Sequence, residues 1–174
     1  MKITRAATGL TTIQNAAAAP ILIRASKTFT GAANLGAVGV NELFTTTGAV
    51  LLEGFWVRCT DDLVDAVDGA LFKIGVTGTD DLFNSLLGAF DLDTANAGDW
   101  IDSVFEAFRA GWGNNQAADT AGAQYTAVEP GISGNIIFTI TTQAITGGTL
   151  EFYVLYRPLS SDGALTLGAG MVAI

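Results

Sequence analysis

Apolar and polar positions alternate with a period of two along much of the chain after Asn41, the spacing of strands with a covered face. Leu43 to Thr47 is rich in β-branched and aromatic residues, Gly48-Ala49 interrupts it, and the pattern resumes from Val50 to Thr60, which predicts a hairpin. In the second run Leu52, Gly54, Trp56 and Arg58 fall on one face, with Leu51, Glu53, Phe55, Val57 and Cys59 on the other. Neither face is uniformly polar, so this strand is expected to be covered on both sides, by a second sheet and by a loop or another subunit. Ala70 to Val76, following the turn-forming Asp65, Asp68 and Gly69, predicts a third strand. Asn135 to Thr142 and Thr149 to Arg157 predict two more, joined as a hairpin through Ile145, Thr146, Gly147 and Gly148.

Other segments break the alternation. Trp100, Ile101, Val104, Phe105 and Phe108 stand at helical spacing between Asp99, a suitable N-cap, and Gly111, which predicts a short helix near residues 100–109 packed on the β core. Thr79 to Thr94 mixes aspartates with Leu and Phe, as in a long, partly buried connection. Asn114 to Gly122 suits an exposed loop, and Tyr125 to Val128 a short strand. The Gly-rich end from Gly163 finishes on Met171, Val172 and Ile174, apolar residues that a monomer leaves exposed or folds back. Residues 1–27 are rich in Ala and Thr, with Pro20 in the middle and no turn leading to a partner strand, which suggests an N-terminal arm laid on a neighbour. Within it Ile21, Leu22, Ile23 and Arg24 are the candidate partner-binding residues; a frayed terminus or a first core strand is the alternative. The expected fold is therefore all-β, a β-sandwich or jelly roll with one short helix and an extended arm, with residues 28–174 as a single domain.

Composition changes this picture in two respects. Apolar residues make up 49% of the 174, charged residues only 14%, and there are 21 Gly, so the exterior is formed largely by small neutral side chains suited to close packing. Eight Lys and Arg against seventeen Asp and Glu give a formal charge of −9, which repels phosphate backbones and argues against nucleic-acid binding. The longest apolar run, Ala16 to Ile23, contains Pro20 and is too short to span a bilayer, so no membrane partner is expected. Polar residues Thr11, Thr12, Gln14 and Asn15 interrupt the stretch where a signal peptide needs a continuous apolar region, which suggests a leaderless start. Cys59, the single cysteine, forms no internal disulfide and is expected to be a buried packing group.

Candidate chemistry is sparse. The chain contains no histidine, which removes the usual general base, the commonest zinc ligand and every Ser-His or Cys-His arrangement. There is no P-loop and no dinucleotide fingerprint. Asp61, Asp62, Asp65 and Asp68, or Asp91 to Asp99, offer paired carboxylates or calcium-binding oxygens, although no EF-hand spacing is met and turn formation on a solvated loop is the preferred account. No catalytic residue, metal site or cofactor is therefore assigned, and the protein is not expected to be an enzyme.

Two stretches resemble virion proteins of tailed bacteriophages: Val50 to Phe83, with Lys73 to Gly78 as a KIGVTG-like segment, and Gly148 to Leu165, with Tyr156 to Leu159 as a YRPL-like strand end. The resemblance covers roughly a third of the chain and is one of strands and turns. It implies a head decoration or cement protein, assembled as a homotrimer on the capsid surface of a virion after synthesis in the host cytoplasm, with the major capsid protein and copies of itself as partners. The alternative is a receptor-binding or fibre-associated module on the virion surface, with Trp112 or Tyr125 stacking on a host sugar.

Overall fold

The computed structural model describes residues 19–66, 69–80, 90–91, 96–101 and 131–174. Its strands are β1 (Ile21–Thr28), β2 (Gly39–Thr47), β3 (Val50–Asp65), β4 (Leu71–Val76), β5 (Phe90–Asp91), β6 (Trp100–Ile101), β7 (Gly131–Ile132), β8 (Ile136–Thr141), β9 (Ile145–Pro158), β10 (Ala164–Leu167) and β11 (Val172–Ala173). Two antiparallel sheets result. One has the order β11-β1-β9-β3-β6, with β7 added on β3, and the other the order β10-β2-β8-β4-β5. Since β1-β9-β3-β6 lies in one sheet and β2-β8-β4-β5 in the other, with successive strands mostly changing sheet, the chain winds as a jelly roll.

This winding overturns both expected hairpins. The strands lie near where the alternation placed them, but β2 pairs with β8 and β10 while β3 pairs with β9, so Gly48-Ala49 carries the chain from one sheet to the other. Gly48 has φ +60°, a left-handed conformation that disfavours other residues. The crossing is braced from β9's far end, where Ser160 Oγ accepts the Ala49 N–H at 2.8 Å and Ala49 O accepts the Leu159 N–H at 2.8 Å. Likewise β8 and β9 never pair, and residues 142–144 form a second inter-sheet corner. Strand β9 also begins earlier than expected, at Ile145, running through Gly147 and Gly148. At Gly148, with φ +94°, an added Cβ would lie 2.4 Å from the Asp62 carbonyl, so only glycine fits against β3 there.

The core lies between the sheets. Strand β9 buries Leu150, Phe152, Val154 and Tyr156, β3 buries Val50, Leu52, Phe55, Val57 and Cys59, and the opposite sheet contributes Phe44, Phe72, Ile74, Phe138 and Ile140. Phe72 stacks on Phe138 with centroids 4.8 Å apart, and Phe29 approaches the same ring at 5.9 Å. The two-faced appearance of β3 has a simple origin. Glu53 and Gly54 together oppose one position on β9, where Leu52 pairs with Tyr156 and Gly54 with Leu155. This bulge shifts the phase, so Leu52 before it and Phe55, Val57 and Cys59 after it all turn inward. Each half of β3 thus has one apolar face directed at the core, in place of the two covered faces expected.

Further expectations are corrected by the same sheet. Residues 21–27, assigned to the arm with a first core strand as the alternative, belong to β1, which pairs with β9 along its whole length and buries Ala25 and Lys27, so the body starts before residue 28. Residues 1–18 lie outside the described residues. Trp100 and Ile101 pair with Arg58 and Val57 as a strand, which removes the start of the expected helix; its remaining residues, the loop at 114–122 and the strand at 125–128 lie outside the described residues. The C-terminal segment does fold back, with β10 on β2, β11 on β1 and Met171 buried, although Val172 and Ile174 stay exposed.

Candidate functional site

Among the described residues, the outer face of the β11-β1-β9-β3-β6 sheet brings aromatic, guanidinium and carboxylate side chains together. Alternation along β9 turns Glu151, Tyr153 and Arg157 outward, and the phase set by the β3 bulge does the same for Trp56 and Arg58. Register then aligns Arg24, Tyr153 and Trp56 in one row across three strands, with Ser26, Glu151, Arg58 and Trp100 in the next.

These residues touch one another. Arg24 Cζ lies 5.3 Å from the Tyr153 ring centroid and Arg58 Cζ lies 5.6 Å from that of Trp100, both in cation–π range. The Trp100 and Tyr153 rings are 5.5 Å apart and inclined by 37°. The Tyr153 hydroxyl donates to Glu151 Oε2 at 2.6 Å, while Arg58 Nη1 reaches the same oxygen only at 4.0 Å. Among the described residues, the buried Arg58 Nε has no hydrogen-bond partner. Trp56 lies over Gly54, where a Cβ would come within 2.1 Å of the indole, so the glycine lets the ring lie close to the sheet. At the end of the platform Arg157 Nε donates to Glu53 Oε1. Trp100 retains 56% of its surface in water despite its ring contacts.

Electrostatically this face differs from the acidic molecule around it. The chain's five arginines are Arg5, Arg24, Arg58, Arg109 and Arg157, and three of them stand here. Among the described residues Arg24 has no carboxylate partner. Flat ring faces, guanidinium donors and carboxylate acceptors thus stand together on this face. Among the described residues no three of Cys, Asp and Glu converge to hold a metal ion. Of the aspartates weighed as ligands, Asp65 accepts the Ala70 N–H and Asp99 the Asn96 N–H within turns, and Asp62 accepts the Ala97 N–H across to the segment before β6; Asp68 and Asp93 lie outside the described residues. Cys59 is buried; desolvation raises its pKa, and its thiol donates to the Asp61 carbonyl at 3.2 Å.

The four residues singled out in the sequence do not form one contact surface. Ile23 packs against the core, Arg24 joins the aromatic platform, and Leu22 shares the outer face of the β1–β11 edge with Val172 and Ile174 as an exposed apolar corner, while alternation turns the exposed Ile21 to the opposite face. Leu22 is 54% exposed and Val172 63%. Trp112 and Tyr125 lie outside the described residues. Sequence reasoning missed the union of Trp56, Trp100, Glu151 and Tyr153, although the Trp56–Arg58 face and the polar positions of β9 were both visible in the alternation. Comparison with known protein families, curated proteins and solved structures finds no match to this chain.

Proposed function

We propose that the protein is a structural, non-enzymatic component of a bacteriophage particle, decorating and stabilising the capsid by binding the major capsid protein and neighbouring copies of itself. The observation that carries this is the apolar corner of Leu22, Val172 and Ile174 on the outer face of the β1–β11 edge, which the jelly roll leaves in water. A charge-poor exterior of small residues supports close packing beside it. Attachment is tested by cosedimentation with preformed shells lacking the protein. Leu22→Asp combined with Val172→Asp, both at exposed positions, is expected to abolish cosedimentation while the circular dichroism spectrum stays unchanged. Retained binding by this variant would refute attachment through the corner.

The aromatic platform favours a second role, that of a receptor-binding or fibre-associated module on the virion surface. An exposed Trp ring and a half-buried Tyr ring beside arginines suit a ligand better than a lattice contact made of small residues. Binding of the purified protein to host cells, and not to shells, would support that role.

A further inference from the structure

We propose that the outer face around Trp100, Tyr153, Arg58 and Arg24 binds an acidic sugar, a carboxylate-bearing pyranose within a polysaccharide chain. This rests on the receptor-binding role and names its ligand class. A pyranose presents an apolar C–H face, and Trp100, 56% exposed and packed against the half-buried Tyr153 ring at 5.5 Å and 37°, offers a surface on which such a face can lie. Hydroxyl groups around the sugar ring need acceptors as well as donors. Glu151 supplies the acceptor, fixed in place by the Tyr153 hydroxyl at 2.6 Å.

The arginines select for the acid. Arg58 is held over Trp100 yet meets Glu151 only at 4.0 Å, so its guanidinium keeps donor capacity for a second carboxylate. Arg24, over the other ring, has no carboxylate partner among the described residues. In a chain of net charge −9, two cations so placed complement an anion. Single-stranded nucleic acid also combines stacking faces with negative charge. It fits less well, because its backbone provides no hydroxyl donors for Glu151 in the DNA case and its dense phosphates meet the overall negative field.

The full chain is titrated at low ionic strength, following tryptophan fluorescence and heat, with a galacturonic acid hexamer, its methyl-esterified neutral counterpart and an oligothymidylate. The uronate hexamer is expected to bind about tenfold more tightly than the neutral one, the factor that 1.4 kcal/mol produces. Trp100→Ala, a change at an exposed position, is expected to weaken uronate binding by about tenfold. Arg58→Gln is expected to bring the acidic and neutral affinities together. Equal binding of both hexamers by the wild-type chain would overturn the acidic-sugar proposal and leave the receptor role standing. No binding of either at millimolar concentration, unchanged affinity in Trp100→Ala, or tighter binding of oligothymidylate would each overturn it as well. Adhesion of the protein to host cells, measured separately, reports on the receptor role itself.

Discussion

The ammonium of Lys27 is buried between the sheets, where Nζ donates to the carbonyls of Glu42 and Ala169, both at 2.8 Å. It thereby ties β1 to the bulge of β2 and to the turn preceding β11. Burial lowers its pKa from 10.5 to about 8, against the opposing pull of the Glu42 charge. Between those two pH values the unfolded chain holds more protons than the folded one, so this group makes stability rise with pH; below about 8 the folded state bears the full cost of the buried charge. At 1.36 kcal/mol per pH unit the gain across that window is about 3 kcal/mol. A Lys27→Met variant lacks the titrating group. The wild-type stability minus that of the variant, from denaturant titrations, should therefore increase by about 3 kcal/mol between pH 7.5 and pH 10.5. A constant difference would show that folding leaves the pKa of the amine unshifted.

At the scale of elements, β1 decides whether the first residues are an appendage or part of the body. It is hydrogen-bonded to β9 from Ile21 to Thr28, and Ala25 and Lys27 on it are fully buried. Deleting residues 1–27 is therefore expected to abolish cooperative unfolding and leave an aggregation-prone chain with the β9 edge open, as read by thermal denaturation and size-exclusion chromatography. A folded, soluble truncation would show that the sheet tolerates loss of β1. The alternation of side chains made most of the long strands legible, because it reports which positions face a core. It does not report which strand lies alongside. The links at Gly48-Ala49 and at Ile145 to Gly148 suited tight hairpins, yet the first is a corner between sheets, and the second is already part of β9, its corner lying at residues 142–144. The bulge at Glu53-Gly54 hid the single covered face of β3 in the same way, since a one-residue phase slip exchanges the faces midway. Half of the aromatic platform was visible as Trp56 and Arg58 on one face. Trp100 was not, because the apolar residues after it gave it a helical context stronger than the signal from a two-residue strand.

At the scale of the whole molecule, the pairings that close the sandwich join distant parts of the chain. Leu22 lies opposite Leu155, Val57 opposite Phe152, and Asn41 opposite Phe138, while β11 at the C-terminal end returns to β1 near the start. Strand β9 is central to its sheet and β8 to the other, and both come late in sequence. Before β9 is in place, β1 and β3 have no common neighbour, and until β8 is in place β2 and β4 have none either. Much of the loop-closure entropy must therefore be lost before the core contacts of Phe55, Phe138 and Phe152 compensate it. Refolding from denaturant, followed by stopped-flow tryptophan fluorescence, is accordingly expected to be slow, with a main phase on the millisecond to second scale typical of non-local β topologies. Substituting Phe152 by Ala, which removes a fully buried ring where β1, β3 and β9 meet, should cost about 3–5 kcal/mol of stability. If formation of the β1-β9-β3 triplet limits folding, much of that loss will be seen as slower refolding. A main phase faster than a millisecond, or a Phe152→Ala variant that only unfolds faster, would show that local contacts, such as the β4–β5 pair, set the rate instead.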